Sequence, residues 1–312
     1  SSTVAATITV TSSIDYLSAA TYAEHSVLYK GSWKKISVKE SGVCKITYDQ
    51  LKGMGFSHPE KVSVYVYGGA QLSELFNLPK TDDLNETPIY DSGSALYFYA
   101  QGPRIWKHKT LMSDHPFEIN SNLYATEGYY FLSENSGQRN IIAMAETIEE
   151  DEEEVVIDKY MEHMVHKTES INPSKSGKGW FGDQTPSGKS FDVTFNVPDI
   201  DLTEEAIVYL NLAAVSNIAS QSNIYINGDF YKSVSYGLAS GHTAGVAGRA
   251  TITYTPVGER NNVSISYKGN SDVDKMWVEQ IVFCAYKKLT ANDGIVYFRD
   301  PRTSTPDIYR YD

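Results

Sequence analysis

Two histidines, His163 and His166, are the residues whose type and spacing come nearest to those of a metal site. Side chains three positions apart share one face of a helical turn, and imidazole is a common zinc ligand. Glu162 and Glu169 lie near them, but the His-Glu-x-x-His pattern of a catalytic zinc helix is absent. We therefore predict no metal and no cofactor, and we expect both histidines to pack and form hydrogen bonds between domains.

An aromatic pair, Trp180 and Phe181, follows the histidines and is flanked by Gly179 and Gly182. If exposed, the two rings would form a platform on which a sugar ring could stack. If buried, they would fill a seam between domains, because glycine permits sharp turns and large rings gain much from leaving water. We favour the buried alternative. The residues predicted to have an interdomain, structural role are His163, His166, Glu169, Trp180, Phe181 and Asp183.

Neither cysteine has the sequence context of a catalytic nucleophile. Cys44 and Cys284 lie in strand-like runs, whereas a reactive thiolate needs a partly exposed, electropositive setting and a neighbouring base. We interpret both as small buried hydrophobic residues, and we favour free thiols over a disulfide between them. A hydrolase that uses carboxylates such as Asp183 and Asp201 is the least favoured alternative. We predict no catalytic residue in this chain.

The composition is that of a folded, β-rich protein. Its 312 residues suffice for two domains, and 23 tyrosines favour strands with one face near water. The formal net charge of −12 argues against a nucleic-acid partner, because phosphate binding requires clustered Lys and Arg. No apolar run approaches the roughly 20 residues of a membrane span. A start at Ser1 suggests a removed export signal or a trimmed chain.

The predicted first domain, residues 1–158, is rich in strands and has one short helix near residues 49–54. Alternating residues on both sides of a turn at residues 40–42 predict a β-hairpin. In the helix, Asp49 is an N-cap type of residue and Gly55 is the stop signal.

An acidic run at residues 149–154 predicts an exposed loop near the domain boundary, because adjacent carboxylates repel one another. A calcium site there is less favoured, since the glycine and the spaced oxygen ligands of a calcium loop are missing. Residues 159–290 then contain many short strands without helical periodicity, which predicts a jelly-roll-like β-sandwich. Residues 235–249, with His242, are predicted to form an exposed loop.

Several segments of the sequence are informative when their order and spacing are taken together. They are residues 33–38, 42–51 and 64–69, residues 96–103 with Trp106, residues 122–124 leading to 129–132, and finally His163, His166 and Glu169 with residues 179–183. Together they resemble the N-terminal, non-peptidase region of gingipain-like (family C25) cysteine peptidases, most closely the type IX secretion system sortase group of Bacteroidetes. The resemblance spans most of the chain.

In that family a His/Cys peptidase domain follows the region resembled here. The resemblance therefore implies that residues 291–312 lead into a downstream peptidase domain, which would be the partner in cis. It also implies export to the cell surface, the outer membrane or the medium, and a non-catalytic role in folding, docking or latency of the peptidase. The alternative is a glycan-binding β-sandwich of a cell-surface protein, in which Trp180 and Tyr236 stack on sugar rings. An open position of the Trp180 ring would favour that alternative.

Overall fold

The computed structural model describes residues 23–75, 82–109, 115–134, 137–142, 155–239, 244–290 and 309–311. Backbone contacts divide the chain into two compact units. The first comprises Ser1–Pro103 and Ala125–Met144, and the second comprises Arg104–Tyr124 and Ala145–Asp312. Residues 104–124 thus belong to the second unit, although they lie in the range predicted as the first domain. The domain boundary at residue 158 stays a prediction.

The described residues are mainly strands. The first nine are β1 (Lys34–Val38), β2 (Gly42–Thr47), β3 (Val62–Val66), β4 (Asn85–Glu86), β5 (Tyr90–Asp91), β6 (Ala95–Ala100), β7 (Arg104–His108), β8 (Phe117–Ser121) and β9 (Gly128–Glu134). The others are β10 (Val155–Ile157), β11 (Lys159–His166), β12 (Gly182–Pro186), β13 (Ser190–Asn196), β14 (Ala206–Val215), β15 (Ser220–Ile226), β16 (Asp229–Tyr236), β17 (Val246–Tyr254), β18 (Arg260–Lys268), β19 (Lys275–Lys288) and β20 (Tyr309–Tyr311). The one α-helix among them is α1 (Tyr48–Gly53), and short 3-10 turns occur at Val27–Tyr29 and Pro59–Lys61. The predicted mainly β fold with few short helices is confirmed.

The first unit has two sheets that share a hydrophobic core. One sheet has the strand order β1-β9-β3-β4, and the other has the order β2-β6-β5. Val64 and Leu132 of the first sheet and Leu96 and Phe98 of the second belong to the same buried cluster. Each strand turns alternate side chains inward, so the period-2 pattern of the sequence specifies which residues form the core.

The predicted hairpin of β1 and β2 is wrong. Both strands lie where the alternation predicts them, but β1 pairs with β9 and β2 pairs with β6. The turn between them carries the chain from one sheet to the other and lies against Gly102. The amide of Gly102 donates to Ser41 Oγ at 3.0 Å, and a Cβ on that glycine would lie 2.9 Å from the Lys39 carbonyl oxygen. Alternation indicates the buried face of a strand and does not specify its neighbour.

The N-cap of helix α1 is Thr47 and not Asp49, so the helix begins earlier than predicted. Thr47 Oγ1 accepts from the Gln50 amide at 3.2 Å while Gln50 Oε1 accepts from the Thr47 amide at 2.8 Å. This reciprocal capping box satisfies two donors that the first turn leaves free. Asp49 lies inside the first turn, where its charge is favourable near the helix N-terminus.

The second unit is a β-sandwich, as predicted. One sheet has the order β11-β19-β14-β17 with β12 also paired to β19, and the other has the order β13-β18-β15-β16. Leu210 and Phe283 of the first sheet pack in one buried cluster with Ile224 and Ile265 of the second. All strand pairs within the two sheets are antiparallel.

The sheet that contains β14 and β19 is buried on both faces. Its second face, here called the outer face, is covered by the antiparallel hairpin of β7 and β8. Phe117 and Ile119 of the hairpin form a buried cluster with Met161, Val282 and Cys284 of the sheet. Burial on both sides accounts for the nearly continuous apolar sequences of β14 and β19.

Several predicted features fall outside the described residues. These are the acidic run at residues 149–154, His242, and residues 291–308 of the predicted run-in to a peptidase domain. Near the end of the chain, β20 pairs in parallel with β10, the strand that precedes β11. Within the described ranges, no helix combines the length and the apolar character that a membrane span requires.

Candidate functional site

His163 and His166 lie on a strand, β11, and therefore face opposite sides of the sheet. His163 lies on the outer face, under the hairpin. His166 lies on the sandwich side, where its ring centroid is 5.2 Å from that of Phe191. A helical turn would have brought the two imidazoles together, and the strand separates them. In the part of the chain that the structure describes, no group of three or more His, Cys, Asp or Glu side chains could hold a metal ion.

The imidazole of His163 is enclosed by aromatic rings of the hairpin. It stacks on Phe117 with a centroid distance of 4.2 Å, and Trp106 approaches its edge at 4.7 Å. Its Nδ1 lies 3.3 Å from the carbonyl oxygen of Met161, within hydrogen-bonding distance. Such ring pairs contribute about 0.5–1.5 kcal/mol beyond the area they bury. His163 thus helps to hold the hairpin on the sheet.

Cys284 lies directly opposite His163, at the same register position of the antiparallel pair β11–β19. Its side chain is 1% exposed and belongs to the cluster beneath the hairpin. Burial raises the pKa of the Cys284 thiol far above its ordinary value, and the Glu162 carboxylate adds to the rise. The sulfur is therefore held as a neutral thiol, the form that is neither a good nucleophile nor a good metal ligand.

Cys44 and Cys284 are both free, as we favoured from the sequence. Cys44 is half-buried in the first unit, and burial raises its pKa as well. Neither thiol has the lowered pKa by which catalytic cysteines are activated.

His166 is paired with Asp183. The His166 Nε2 and Asp183 Oδ2 atoms are 2.6 Å apart, and both side chains are about three-quarters buried, with exposed fractions of 26% and 22%. Asp183 has a φ of +51°, a left-handed conformation that few residues other than glycine, asparagine and aspartate adopt readily. The contact ties the start of β12 to the end of β11.

Two backbone hydrogen bonds join Phe181, just before Asp183, to Ile171 in the segment that follows β11. The amide of Phe181 donates to the Ile171 carbonyl at 2.7 Å, and the amide of Ile171 donates to the Phe181 carbonyl at 2.8 Å. Gly182 is buried so close to this segment that an added Cβ would lie 2.4 Å from the Thr168 carbonyl oxygen. Glycine is required at this position by a close backbone approach.

The remaining predicted residues are placed as follows. Trp180 and Phe181 are half-buried, so neither ring lies fully open as a stacking platform. Glu169 Oε1 lies 3.5 Å from Lys167 Nζ and belongs to a separate ion pair from that of His166. Tyr236 is 1% exposed, and its hydroxyl donates to Ser222 Oγ at 2.9 Å, so the alternative in which Tyr236 stacks on a sugar ring is wrong for this residue.

All six predicted site residues lie in the second unit. The structure brings His166 and Asp183 into contact and places His163 in a different environment, under the hairpin. Sequence reasoning missed the partners of His163, because Trp106 and Phe117 belong to a hairpin far away along the chain. The interdomain role of the six residues remains a proposal.

The fold and these contacts define a class of protein: a chain of two β-rich units, the second a sandwich with a hairpin on its outer face. Among solved structures, the chain is similar over most of its length to dimeric latent PorU from Porphyromonas gingivalis. The TM-score is 0.79 and the sequence identity 27%, over 93% of this chain and 28% of the PorU chain. The present chain thus spans less than a third of the length of that relative.

Two further similarities, to carbohydrate-binding modules, cover less than half of the chain. The CBM35 module from Cellvibrio japonicus Abf62 matches 46% of this chain and 98% of its own, with 13% identity and a TM-score of 0.27. The CBM36-1 domain of a xylanase from the hindgut metagenome of Trinervitermes trinervoides matches 39% and 96%, with 10% identity and a TM-score of 0.27. Scores this low carry no argument about function. No protein-family model and no curated protein sequence matches the chain.

Proposed function

We propose that this chain is the non-catalytic N-terminal accessory region of a gingipain-like cysteine peptidase or of a type IX secretion sortase-like protein. The observation that carries the proposal is the similarity to PorU, which extends over 93% of this chain and 28% of the PorU chain. It supports what the sequence resemblance implies, namely that a peptidase domain follows in cis.

The accessory region would support folding, docking or latency of that peptidase. The PorU structure to which the chain is similar is that of a latent form, which favours a role in holding a peptidase inactive. A rigid support suits this role. The sandwich sheet is buried on both faces, and its hairpin, His163 and Cys284 form one packed cluster.

The proposal assigns no reaction to this chain. Burial raises the pKa of both cysteines, so their thiols are neutral at physiological pH. We assign structural roles to His163, His166, Glu169, Trp180, Phe181 and Asp183, with an interdomain contact as the function of the aromatic pair. Export to the cell surface, the outer membrane or the medium is part of the same proposal.

Peptide hydrolysis by the purified 312-residue chain tests the non-catalytic assignment. Wild type, Cys44→Ala and Cys284→Ala are compared on a broad panel of fluorogenic peptides. We expect no turnover by any of the three proteins. Turnover that disappears in either cysteine variant, with its folding unchanged by circular dichroism, would assign a reaction to the chain.

Sequencing the gene beyond the codon for Asp312 tests separately whether a peptidase domain follows in the same protein. We expect the reading frame to continue into a segment with His and Cys in gingipain-like order. A stop codon at that point would remove the cis peptidase from the proposal.

A further inference from the structure

The second sandwich sheet, β13-β18-β15-β16, has an outward surface rich in short polar side chains. Its strands turn the apolar residues Phe195, Ile265 and Ile224 into the core, so the alternating positions face solvent. The outward residues, here called the polar face, are Ser190, Asp192, Thr194 and Asn196 of β13, Arg260, Asn262, Ser264, Ser266 and Lys268 of β18, Gln221, Asn223 and Tyr225 of β15, and Phe230, Ser233 and Ser235 of β16.

The charged residues of the polar face lie apart from one another. Arg260 and Lys268 lie at the two ends of β18, and Asp192 lies within β13. Between them the side chains carry hydroxyl or amide groups, apart from the two rings of Tyr225 and Phe230. The neutral polar groups therefore form a continuous area on this face of the sheet.

Strand register arranges these groups in rows across the sheet. Ser190 and Ser266 lie opposite each other, and Asn223 and Ser233 continue the same row. Adjacent strands are about 4.8 Å apart, so a four-strand row spans about 14 Å. The row therefore presents hydroxyl and amide groups along a line long enough for a ligand made of several linked rings.

Hydrogen bonds within the polar face fix its side chains before any ligand arrives. Gln221 Nε2 donates to Asn223 Oδ1 at 2.6 Å and to Ser233 Oγ at 3.0 Å, and Ser233 Oγ donates to Asn223 Oδ1 at 2.8 Å. Side chains that are already ordered lose little rotational entropy on binding. The arrangement is thus prepared for a ligand that both donates and accepts hydrogen bonds.

An aromatic pair lies in the neighbouring row. Phe230 is opposite Tyr225, and their ring centroids are 5.7 Å apart in an edge-to-face arrangement. Phe230 is 57% exposed, so a large apolar ring stands in water beside the hydroxyl and amide rows. Such a ring provides a flat apolar surface against which another ring can pack.

We infer that the polar face binds a neutral glycan chain. Sugar hydroxyls are both donors and acceptors, as the Ser, Asn and Gln groups require, and the C–H face of a pyranose ring would stack on Phe230. An anionic ligand is disfavoured by the net charge of −12, because the two cations of this face lie at opposite ends of β18. A protein partner is disfavoured because the core of a protein interface is apolar, and Phe230 is here surrounded by polar groups. This inference does not depend on the proposal that the chain is part of a peptidase.

Affinity electrophoresis of the full 312-residue chain tests the inference. Mobility is measured in native gels without polysaccharide, with the neutral polysaccharides mannan, xylan or mixed-linkage β-glucan, and with acidic alginate. We expect retardation by at least one neutral polysaccharide and none by alginate. Phe230→Ala should weaken that retardation roughly tenfold, the size expected for truncating a central aromatic contact. Ser264→Glu, which places a carboxylate within the polar face, should abolish it.

The matched control is Tyr99→Ala. Tyr99 is 61% exposed, close to the value of Phe230, but it lies on β6 in the first unit. It should bind as wild type does, with all variants unfolding at the wild-type midpoint. The inference is overturned if no neutral polysaccharide retards the chain, if alginate alone does, or if Phe230→Ala and Ser264→Glu bind like wild type. Concentration-dependent self-association that Ser264→Glu abolishes would assign the face to a second copy and also overturn it.

Discussion

His163 and Cys284 face each other across adjacent strands of the sandwich, at one register position of β11 and β19. A cysteine beside a histidine is the pair that cysteine peptidases use, but the surroundings give this pair another role. Burial holds the thiol neutral by raising its pKa, and the imidazole is stacked on Phe117 of the covering hairpin. Cys284 belongs to a buried hydrophobic cluster, and the half-buried His163 packs on Phe117 of the same cluster, so both contribute to stability.

The position of Cys284 makes its thiol a reporter of hairpin docking. In a Cys44→Ser background, we expect a maleimide to modify Cys284 slowly, because the side chain is 1% exposed. Phe117→Ala removes a fully buried ring of the hairpin and should lower the free energy of unfolding by about 3–5 kcal/mol. The modification rate, followed by mass spectrometry, should rise at least tenfold.

Tyr124→Ala is the control for this experiment, since Tyr124 is an aromatic residue of the same chain segment but is exposed. Its modification rate should stay at the value of the background protein. Equal rates in Phe117→Ala and the background protein would show that the hairpin does not protect the thiol.

Gly182 should tolerate no side chain. Gly182→Ala would place a Cβ 2.4 Å from the Thr168 carbonyl oxygen, so the bridge between Ile171 and Phe181 must shift. We expect a loss of about 1–3 kcal/mol in the free energy of unfolding, the usual cost of overpacking. Urea unfolding followed by tryptophan fluorescence measures it.

Gly177→Ala is the matched control, because a Cβ at Gly177 meets nothing within 4 Å. Its effect should stay within about 0.5 kcal/mol of zero. If both variants lose the same stability, the close approach at Gly182 is not what requires glycine there.

Asp201 should make stability depend on pH in the acid range. Its carboxylate accepts from Thr203 Oγ1 at 2.6 Å and from the Thr203 amide at 2.9 Å, and Lys159 Nζ lies 3.0 Å away. These bonds, with that of the Thr203 side chain first, lower the pKa of Asp201 to about 2. The folded-state pKa is therefore below the unfolded value of about 3.9. The stabilisation is complete above about pH 4 and is lost as the pH falls toward 2.

Asp201→Asn should therefore lower the free energy of unfolding by about 1–2 kcal/mol at pH 7, after allowance for screening by solvent. The difference from wild type should shrink between pH 4 and pH 2, as measured by urea unfolding at each pH. Asp272→Asn, in an exposed loop, is the control and should match wild type. A deficit in Asp201→Asn that stays constant down to pH 2 would contradict this account.

The sequence predicted strands better than their partners. Residues 159–290 were predicted to contain many short strands, and the period-2 alternation of β18 specifies its buried face, because alternation follows directly from strand geometry. It did not show that β1 and β2 pair with other strands, or that the hairpin of β7 and β8 covers the sandwich. Pairing between distant segments depends on tertiary packing, which local alternation does not record.

The loop predicted at residues 235–249 was wrong in part for a related reason. Its small residues indicated a loop, but β17 begins at Val246. A Cβ on Gly248 would lie 2.5 Å from the Tyr236 ring, so glycine here makes room for a buried side chain of the facing sheet. Small residues within a strand can mark a close approach as well as a turn.

The candidate site was predicted only as a set of residues. Spacing made a shared face for His163 and His166 conceivable, and the strand conformation of β11 placed them on opposite faces. The contacts of His163 with Trp106, Phe117 and the strand of Cys284 join residues far apart in sequence. No local pattern contains that information.

We propose that the chain is an accessory region that associates with a peptidase domain encoded downstream. Isothermal titration of the purified 312-residue chain with that domain, expressed separately from the same gene, tests it most directly. We expect saturable one-to-one binding, together with lower activity of the peptidase domain in the complex if the role is latency. A correctly folded downstream domain that gives no binding heat and no co-elution with the chain would contradict the claim.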